Sequence, residues 1–206
     1  MPKPLPPGEH YFAADPSATS RRRSVRLTLP DLQIDLVTDR GVFAGEAVDP
    51  GTKLLLATAP PPPANGHVLD LGCGYGPIAV VTALRSPAAQ VWAVDVNRRA
   101  LTLTAENARR AGCAARVHAV PPPGIPPEVR FSAIYSNPPI RIGKAPLHHL
   151  LGKWLPRLDQ EGGRAWLVVH KHLGSDSLAR WLQEQGYAVR RLVSRMGYRV
   201  LEVGPR

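Results

Sequence analysis

The stretch Val68-Leu69-Asp70-Leu71-Gly72-Cys73-Gly74-Tyr75-Gly76-Pro77-Ile78 decides the fold of this chain. Its apolar run (Val68, Leu69, Leu71) halts at three alternating glycines, and residues 78–84 then read as a helix of small residues. Strand, glycine turn, helix is the implied order. Glycine has no Cβ and tolerates positive φ, so a ligand can approach the backbone closely. The helix that follows directs its free amides at whatever lies there. A nucleotide-like cofactor is the leading expectation.

Outward from this stretch, strands and helices alternate, which implies a parallel α/β sheet. Val91 to Val94 form a second buried strand ending at Asp95. Asn97 caps a helix whose Ala100, Leu101, Thr104, Ala105 and Ala108 share a face, and Gly112 closes it. Residues 116–120 read as a third strand, 121–127 as a proline-laden loop, and 131–135 as a fourth strand. Leu147, Leu150, Leu151, Trp154, Leu155 and Leu158 recur at helical spacing. Strand 165–169 follows, and then a helix capped by Ser175 carrying Leu178, Trp181 and Leu182. Residues 189–193 and 199–203, joined across Met196-Gly197, are too close for anything but an antiparallel hairpin. Upstream, Val25, Leu27 and Leu29 alternate with polar residues, as do Ile34 and Leu36. Pro30-Asp31 between them predicts a β-hairpin. Asp49-Pro50 starts a helix that Pro60 ends. Residues 1–8 read as a disordered proline-rich tail, with His10-Tyr11-Phe12 docking it. Residues 9–59 form an N-terminal extension and 60–206 the main domain.

The chain is 206 residues long, with 26 Lys+Arg against 16 Asp+Glu, a net charge of +10. That excess favours a polyanionic partner, nucleic acid ahead of a membrane surface. Two cysteines, Cys73 and Cys113, make neither a CxxC pair nor a disulfide framework. No apolar run approaches the ~20 residues of a membrane helix. A reduced, cytoplasmic protein with no membrane partner is the expectation. His148-His149 and His170 with His172 lack carboxylate or cysteine neighbours at ligand spacing, so no metal is expected.

Two cofactors compete for the glycine turn. A dinucleotide fingerprint is G-x-G-x-x-G, but here Pro77 holds the third-glycine position. Asp70 opposes a pyrophosphate, whereas it suits the ammonium of S-adenosylmethionine. Asp95, at a strand end, suits ribose hydroxyls in either case. The discriminating element is Ser136-Asn137-Pro138-Pro139-Ile140, after the fourth strand on the same edge of the sheet. Prolines fix the turn and donate nothing. The Asn137 side-chain oxygen and the Pro138 carbonyl are then free to hold one planar amino group, its nitrogen lone pair aimed at a methyl sulfonium.

Asp70 to Pro77 (D-L-G-C-G-Y-G-P) with Asn137 to Ile140 (N-P-P-I) resembles a class I S-adenosylmethionine-dependent methyltransferase. The chain is similar, more narrowly, to the "methyltransferase small domain" family of RsmC-like small-subunit rRNA guanine methyltransferases. The likeness extends to His10-Tyr11-Phe12, residues 38–43, 48–52 and 137–144, covering roughly 9–203. It implies a Rossmann-like seven-stranded, mostly parallel sheet with an antiparallel last strand, plus the N-terminal β-hairpin. It further implies methylation of the guanine 2-amino group. Asn137, Pro138, Pro139 and Ile140 are the implied catalytic set. Asp70, Gly72, Cys73, Gly74, Tyr75, Gly76, Asp95, Val96, Asn97 and Val120 are the implied cofactor set. Arg21, Arg22 and Arg23, as a flexible basic arm, with Arg141 and Lys144, are expected to grip RNA. Two departures stand out. Ala119-Val120-Pro121 replaces the usual acidic or polar adenine partner, leaving backbone groups there. Ile140 sits where an aromatic often stacks the target base. Rival readings are a protein glutamine methyltransferase, a non-catalytic RNA-binding module and an NAD oxidoreductase. Ile140 and the +10 charge argue against the first, intact Asp70, Asp95 and Asn137 against the second, and Pro77 against the third.

Overall fold

The computed structural model describes residues 14–206; the expected tail and the His10-Tyr11-Phe12 contact lie outside the described residues. A seven-stranded sheet forms the centre, in the order β5-β4-β3-β6-β7-β9-β8. Its strands are β3 (Asn65–Leu71), β4 (Ala88–Val94), β5 (Val117–Val120), β6 (Ala133–Ser136), β7 (Arg164–His170), β8 (Val189–Arg195) and β9 (Tyr198–Val203). All neighbouring pairs are parallel except β7–β9 and β8–β9, so the last strand runs against both its neighbours. The expected terminal hairpin is there. A separate antiparallel pair, β1 (Arg23–Thr28) with β2 (Gln33–Thr38), makes the N-terminal hairpin.

Alternation along β3 sorts its side chains onto two faces. Val68 joins one core cluster with α1 (Pro50–Thr58), α2 (Pro77–Arg85), α3 (Arg98–Arg110) and the hairpin. Leu69 and Leu71 join the other, under α4 (Lys144–Trp154) and α5 (Ser175–Glu184). The sheet is thus covered on both sides, which a parallel sheet requires.

Three local readings are corrected. The buried face of α3 carries Leu103 and Asn107 with Ala100, Thr104 and Ala108, while Ala105 is exposed and Leu101 half-buried. Asn107 is buried because it hydrogen-bonds the hairpin. The leucine-rich helix ends at Trp154 and tightens into a 3₁₀ turn over Leu155–Arg157, where Pro156 denies it an amide. Ser175 does not cap α5; Gly174 at φ 94° holds the cap position, and the Ser175 hydroxyl accepts from Arg199 at 3.0 Å.

The hairpin is pinned to the domain. Asn107 accepts from Val37 N at 2.7 Å and donates to Val37 O and Tyr75 O, each at 2.8 Å. Arg85 forks onto Asp31, and Asn97 Nδ2 donates to Gly41 O at 2.7 Å.

Candidate active site

β3 and β6 are adjacent, with Asp70 opposite Tyr135, so the turns that follow them open side by side. Ser136 ties them, its hydroxyl donating to Leu71 O at 2.6 Å. Between and above lies a cleft of about 330 Å³, lined by Gly72, Gly74, Asp95, Val96, Asn97, Asn137, Pro138 and Pro139, all expected from the sequence. Ligands of open α/β sheets bind at this carboxyl edge.

The glycine turn is held by its own backbone. Gly72 N and Cys73 N both donate to Val94 O, at 2.8 and 3.0 Å. Gly72, Gly74 and Gly76 have φ of 78°, 57° and 85°. Their surroundings differ. A Cβ on Gly72 or Gly74 would meet nothing among the described residues within 4 Å, because the cleft lies above them; one on Gly76 would lie 2.8 Å from the Thr104 side chain. Two glycines give access and one gives packing.

Asp95 follows β4. Its Oδ2 accepts from Gly74 N and its Oδ1 from Asn97 N, both at 2.9 Å. Burial raises its pKa, while those amides work against the rise. Each oxygen keeps a lone pair for a ligand hydroxyl. Beside it Val96 is 46% exposed and gives the cleft an apolar side chain. Asn97 caps α3, as expected, accepting from Arg99 N and Ala100 N.

Asp70 departs from its expected role. It shares the Val68 face of β3, beneath α2, and is 1% exposed. Its Oδ2 accepts from Ala79 N at 2.9 Å, in the first turn of α2, while Oδ1 is buried without a hydrogen-bond partner among the described residues. Burial, with the nearby Asp95 charge, pushes its pKa up to about 8. It is a helix-capping carboxyl, not part of the cleft wall. Cys73 and Tyr75 lie buried under the turn and line a smaller recess with Asp49, Thr52 and Asn137. Burial raises the Cys73 thiol well above its usual range, so it is no nucleophile. Val120 packs on the α4-side core, and Pro122 lines the cleft in its stead.

In the second turn, Asn137 Nδ2 donates to Asp49 Oδ2 at 2.8 Å and to Thr52 Oγ1 at 3.0 Å. A carboxylate only accepts, so the NH2 end must face α1 and Oδ1 the opposite way. The Pro138 carbonyl is not idle: it accepts from Ile140 N at 2.8 Å. Pro139, at φ −73° and ψ 69°, makes this an inverse γ-turn. One carbonyl lone pair remains. The turn carries Ile140 onto the core and brings Ile142 into the cleft wall, so Ile140 does not line the cleft.

The far wall comes from α4: Pro146, His149, Leu150, Lys153 and Trp154. Sequence reasoning placed the leucines and Trp154 in the core and set His149 aside. His148 stacks on Trp181 at 3.9 Å. Among the described residues, no three His, Cys, Asp or Glu side chains gather to hold a metal. The arginine run is not a free arm. Arg21 N donates to Asp39, Arg22 pairs with Glu106, and Arg23 pairs with Glu46 at 3.7 Å. Arg141 and Lys144 are exposed, and neither makes a salt bridge among the described residues.

A glycine turn after the central strand, a carboxylate after the next and an Asn-Pro-Pro turn beside them, on a sheet whose last strand is reversed, define a class I methyltransferase. The chain belongs to the methyltransferase small domain family, whose model matches residues 33–202. It is 31% identical to "Uncharacterized protein YbxB" of Bacillus subtilis, over 94% of this chain and 97% of that protein. It is 32% identical to the ribosomal RNA small subunit methyltransferase C of Shewanella amazonensis, over 82% of this chain but 50% of the relative. The T. thermophilus 16S rRNA N2 methyltransferase RsmC, solved with AdoMet and guanosine, superposes with a TM-score of 0.76 at 25% identity. That match covers 93% of this chain and 52% of the other, so the chain spans about half the length of these two rRNA enzymes. Among the described residues, no helix is long and apolar enough to cross a membrane.

Proposed function

We propose that this chain transfers a methyl group from S-adenosylmethionine to an exocyclic amino nitrogen, that of guanine in small-subunit rRNA. The observation that carries the reading is the Asn137 amide, whose NH2 is committed to Asp49 and Thr52 so that Oδ1 serves the cleft as an acceptor.

The cleft suits the cofactor on its own terms. Gly72 and Gly74 leave open space above a backbone that a ligand can touch. Asp95 offers oxygens to ribose hydroxyls, and Val96 with Pro122 offers apolar surface to a flat ring. When bound, S-adenosylmethionine supplies an electrophilic methyl group on a sulfonium. Asn137 Oδ1 and the free lone pair of Pro138 O accept the two hydrogens of the target amine. The nitrogen lone pair is thereby aimed, and the positive charge growing on nitrogen meets two oxygens. A methylated, cationic nitrogen is acidic enough to lose its proton to water without a dedicated base. Ile142, Leu150 and Trp154 give the base an apolar wall, and Arg141 and Lys144 face backbone phosphates. The +10 charge and the relatives named for small-subunit rRNA favour RNA over protein.

The test is transfer of labelled methyl groups to small ribosomal subunits, free rRNA and release factors, by wild type and Asn137→Ala. The expected result is labelling of rRNA as N2-methylguanine, lost roughly 10²–10³-fold in the variant while calorimetry shows unchanged cofactor binding. Full turnover by Asn137→Ala would sink the assignment.

A further inference from the structure

The sequence Asp49-Pro50-Gly51-Thr52 begins α1, yet its polar side chains reach across to β6. Asp49 is the helix cap, Oδ2 accepting from Thr52 N at 2.9 Å, and Pro50 takes the first helical position, where its missing amide costs nothing. The same Oδ2 accepts from Asn137 Nδ2 at 2.8 Å, and the Thr52 hydroxyl accepts from it at 3.0 Å. Asp49 Oδ1 receives Tyr198 Oη of β9 at 3.4 Å. Gly51 makes that approach possible, since a Cβ there would stand 2.7 Å from the Tyr198 ring. Thr52 is 3% exposed, so its hydroxyl has little freedom to turn elsewhere.

Both hydrogens of the Asn137 amide are therefore taken by two acceptors on one rigid helix start. A free asparagine can present either end to a ligand; this one presents only oxygen. A carboxylate on the NH2 side also draws the amide's positive end, which strengthens Oδ1 as an acceptor through the conjugated group. We propose that Asp49 and Thr52 are positioning residues for methyl transfer, orienting and polarising the Asn137 side chain from the start of α1. This rests on the catalytic reading of Asn137 above.

Asp49→Ser separates the two roles of Asp49, because serine keeps the helix cap but removes the carboxylate. The expected result is a kcat on small ribosomal subunits lowered roughly 10- to 100-fold, with the KM for S-adenosylmethionine and the melting temperature little moved. Combined with Asn137→Ala it should add no further loss, since Asp49 acts through that side chain. Thr52→Val should lower kcat and Thr52→Ser should retain it. A second readout needs no substrate: nitrogen-15 spectra of the Asn137 side-chain NH2, assigned by its loss in Asn137→Ala. Its hydrogens should exchange slowly in the wild type and much faster in Asp49→Ser. Unchanged exchange, unchanged kcat, or losses that multiply in the combined variant would overturn the proposal. So would a loss confined to cofactor affinity. If instead Asn137→Ala turns over normally, it is the catalytic reading that fails, while the exchange result still decides whether Asp49 and Thr52 orient the amide.

Discussion

The two turns at the cleft are built in opposite ways. The glycine turn is stabilised from within: its amides go to Val94 O, its carboxylate neighbour Asp95 is clamped by Gly74 and Asn97 amides, and Asp70 caps the helix behind it. Everything it needs lies between β3 and α3. The Asn-Pro-Pro turn has a stiff backbone, but the side chain proposed to meet the substrate, Asn137, is held from α1, by residues more than eighty positions earlier. A cofactor needs a standing surface, which local backbone provides. A reacting amine needs one atom aimed, which takes a second element. On the proposed reading, the start of α1 belongs to the reaction site as much as the Asn-Pro-Pro turn does.

The sharpest way to break this contrast is Asn137→Ala, which should remove most turnover and leave folding and cofactor affinity alone. An effect on cofactor affinity of the same size would mean that the two turns are one unit. Next comes Gly76→Ala. Left-handed strain of about 1–2 kcal/mol, with crowding against Thr104 of about 1–3 kcal/mol, should cost roughly 2–5 kcal/mol in urea unfolding. Gly74→Ala should cost only about 1–2 kcal/mol of stability, since only strain applies, while weakening cofactor binding by filling the cleft floor. Equal stability losses would erase the division between packing and access glycines.

Asp70 supplies a pH signature. Its folded pKa, about 8, lies above the usual carboxylate value, so the folded state binds the proton more tightly than the unfolded chain. Its contribution is full below about pH 4 and is lost as pH rises through about 8, by on the order of 1 kcal/mol per pH unit. Asp70→Asn should flatten the fall in stability between pH 5 and pH 8, followed by denaturant titration at each pH. A slope unchanged in the variant would place the carboxyl's ordinary charge back inside the turn. The smallest effect is on RNA. Arg141→Ala with Lys144→Ala should reduce the salt dependence of RNA binding by about two counterions. Arg22→Ala with Arg23→Ala should change it less, because those charges already face Glu106 and Glu46.

How much of this was legible in the sequence follows the same division. The glycine turn, Asp95 and the Asn-Pro-Pro turn are contiguous motifs, and strand alternation placed them on one edge. Asp70 was assigned to the cofactor, although it has the parity of Val68, not of Leu69 and Leu71, and so faces α2. What stayed hidden depends on distance in space. Periodicity on α4 marks a buried stripe but not where that stripe leaves the core and overhangs a cleft, so His149 and Lys153 went unseen. The inverse γ-turn at Pro139 shifts the wall residue from Ile140 to Ile142, a backbone detail without a residue signature. Asn107 was absent from the expected face of α3, because nothing in its local sequence shows the hairpin backbone it bonds. Asp49 read only as a helix start, which it is; nothing local announces the second use of its carboxylate.

One consequence concerns time. The Val37 backbone finds its partner in Asn107, 70 residues later, and Asp49 finds Tyr198 149 residues later. On a ribosome the hairpin emerges first, two short strands that are marginal alone. It waits for α3 before it can dock. The cofactor turn is complete once α3 exists, but the support behind Asn137 closes only when β9 arrives. A chain interrupted before β9 would hold the glycine turn and Asp95 without Tyr198 behind Asp49, so the support proposed to aim Asn137 is completed after the turn proposed to hold the cofactor.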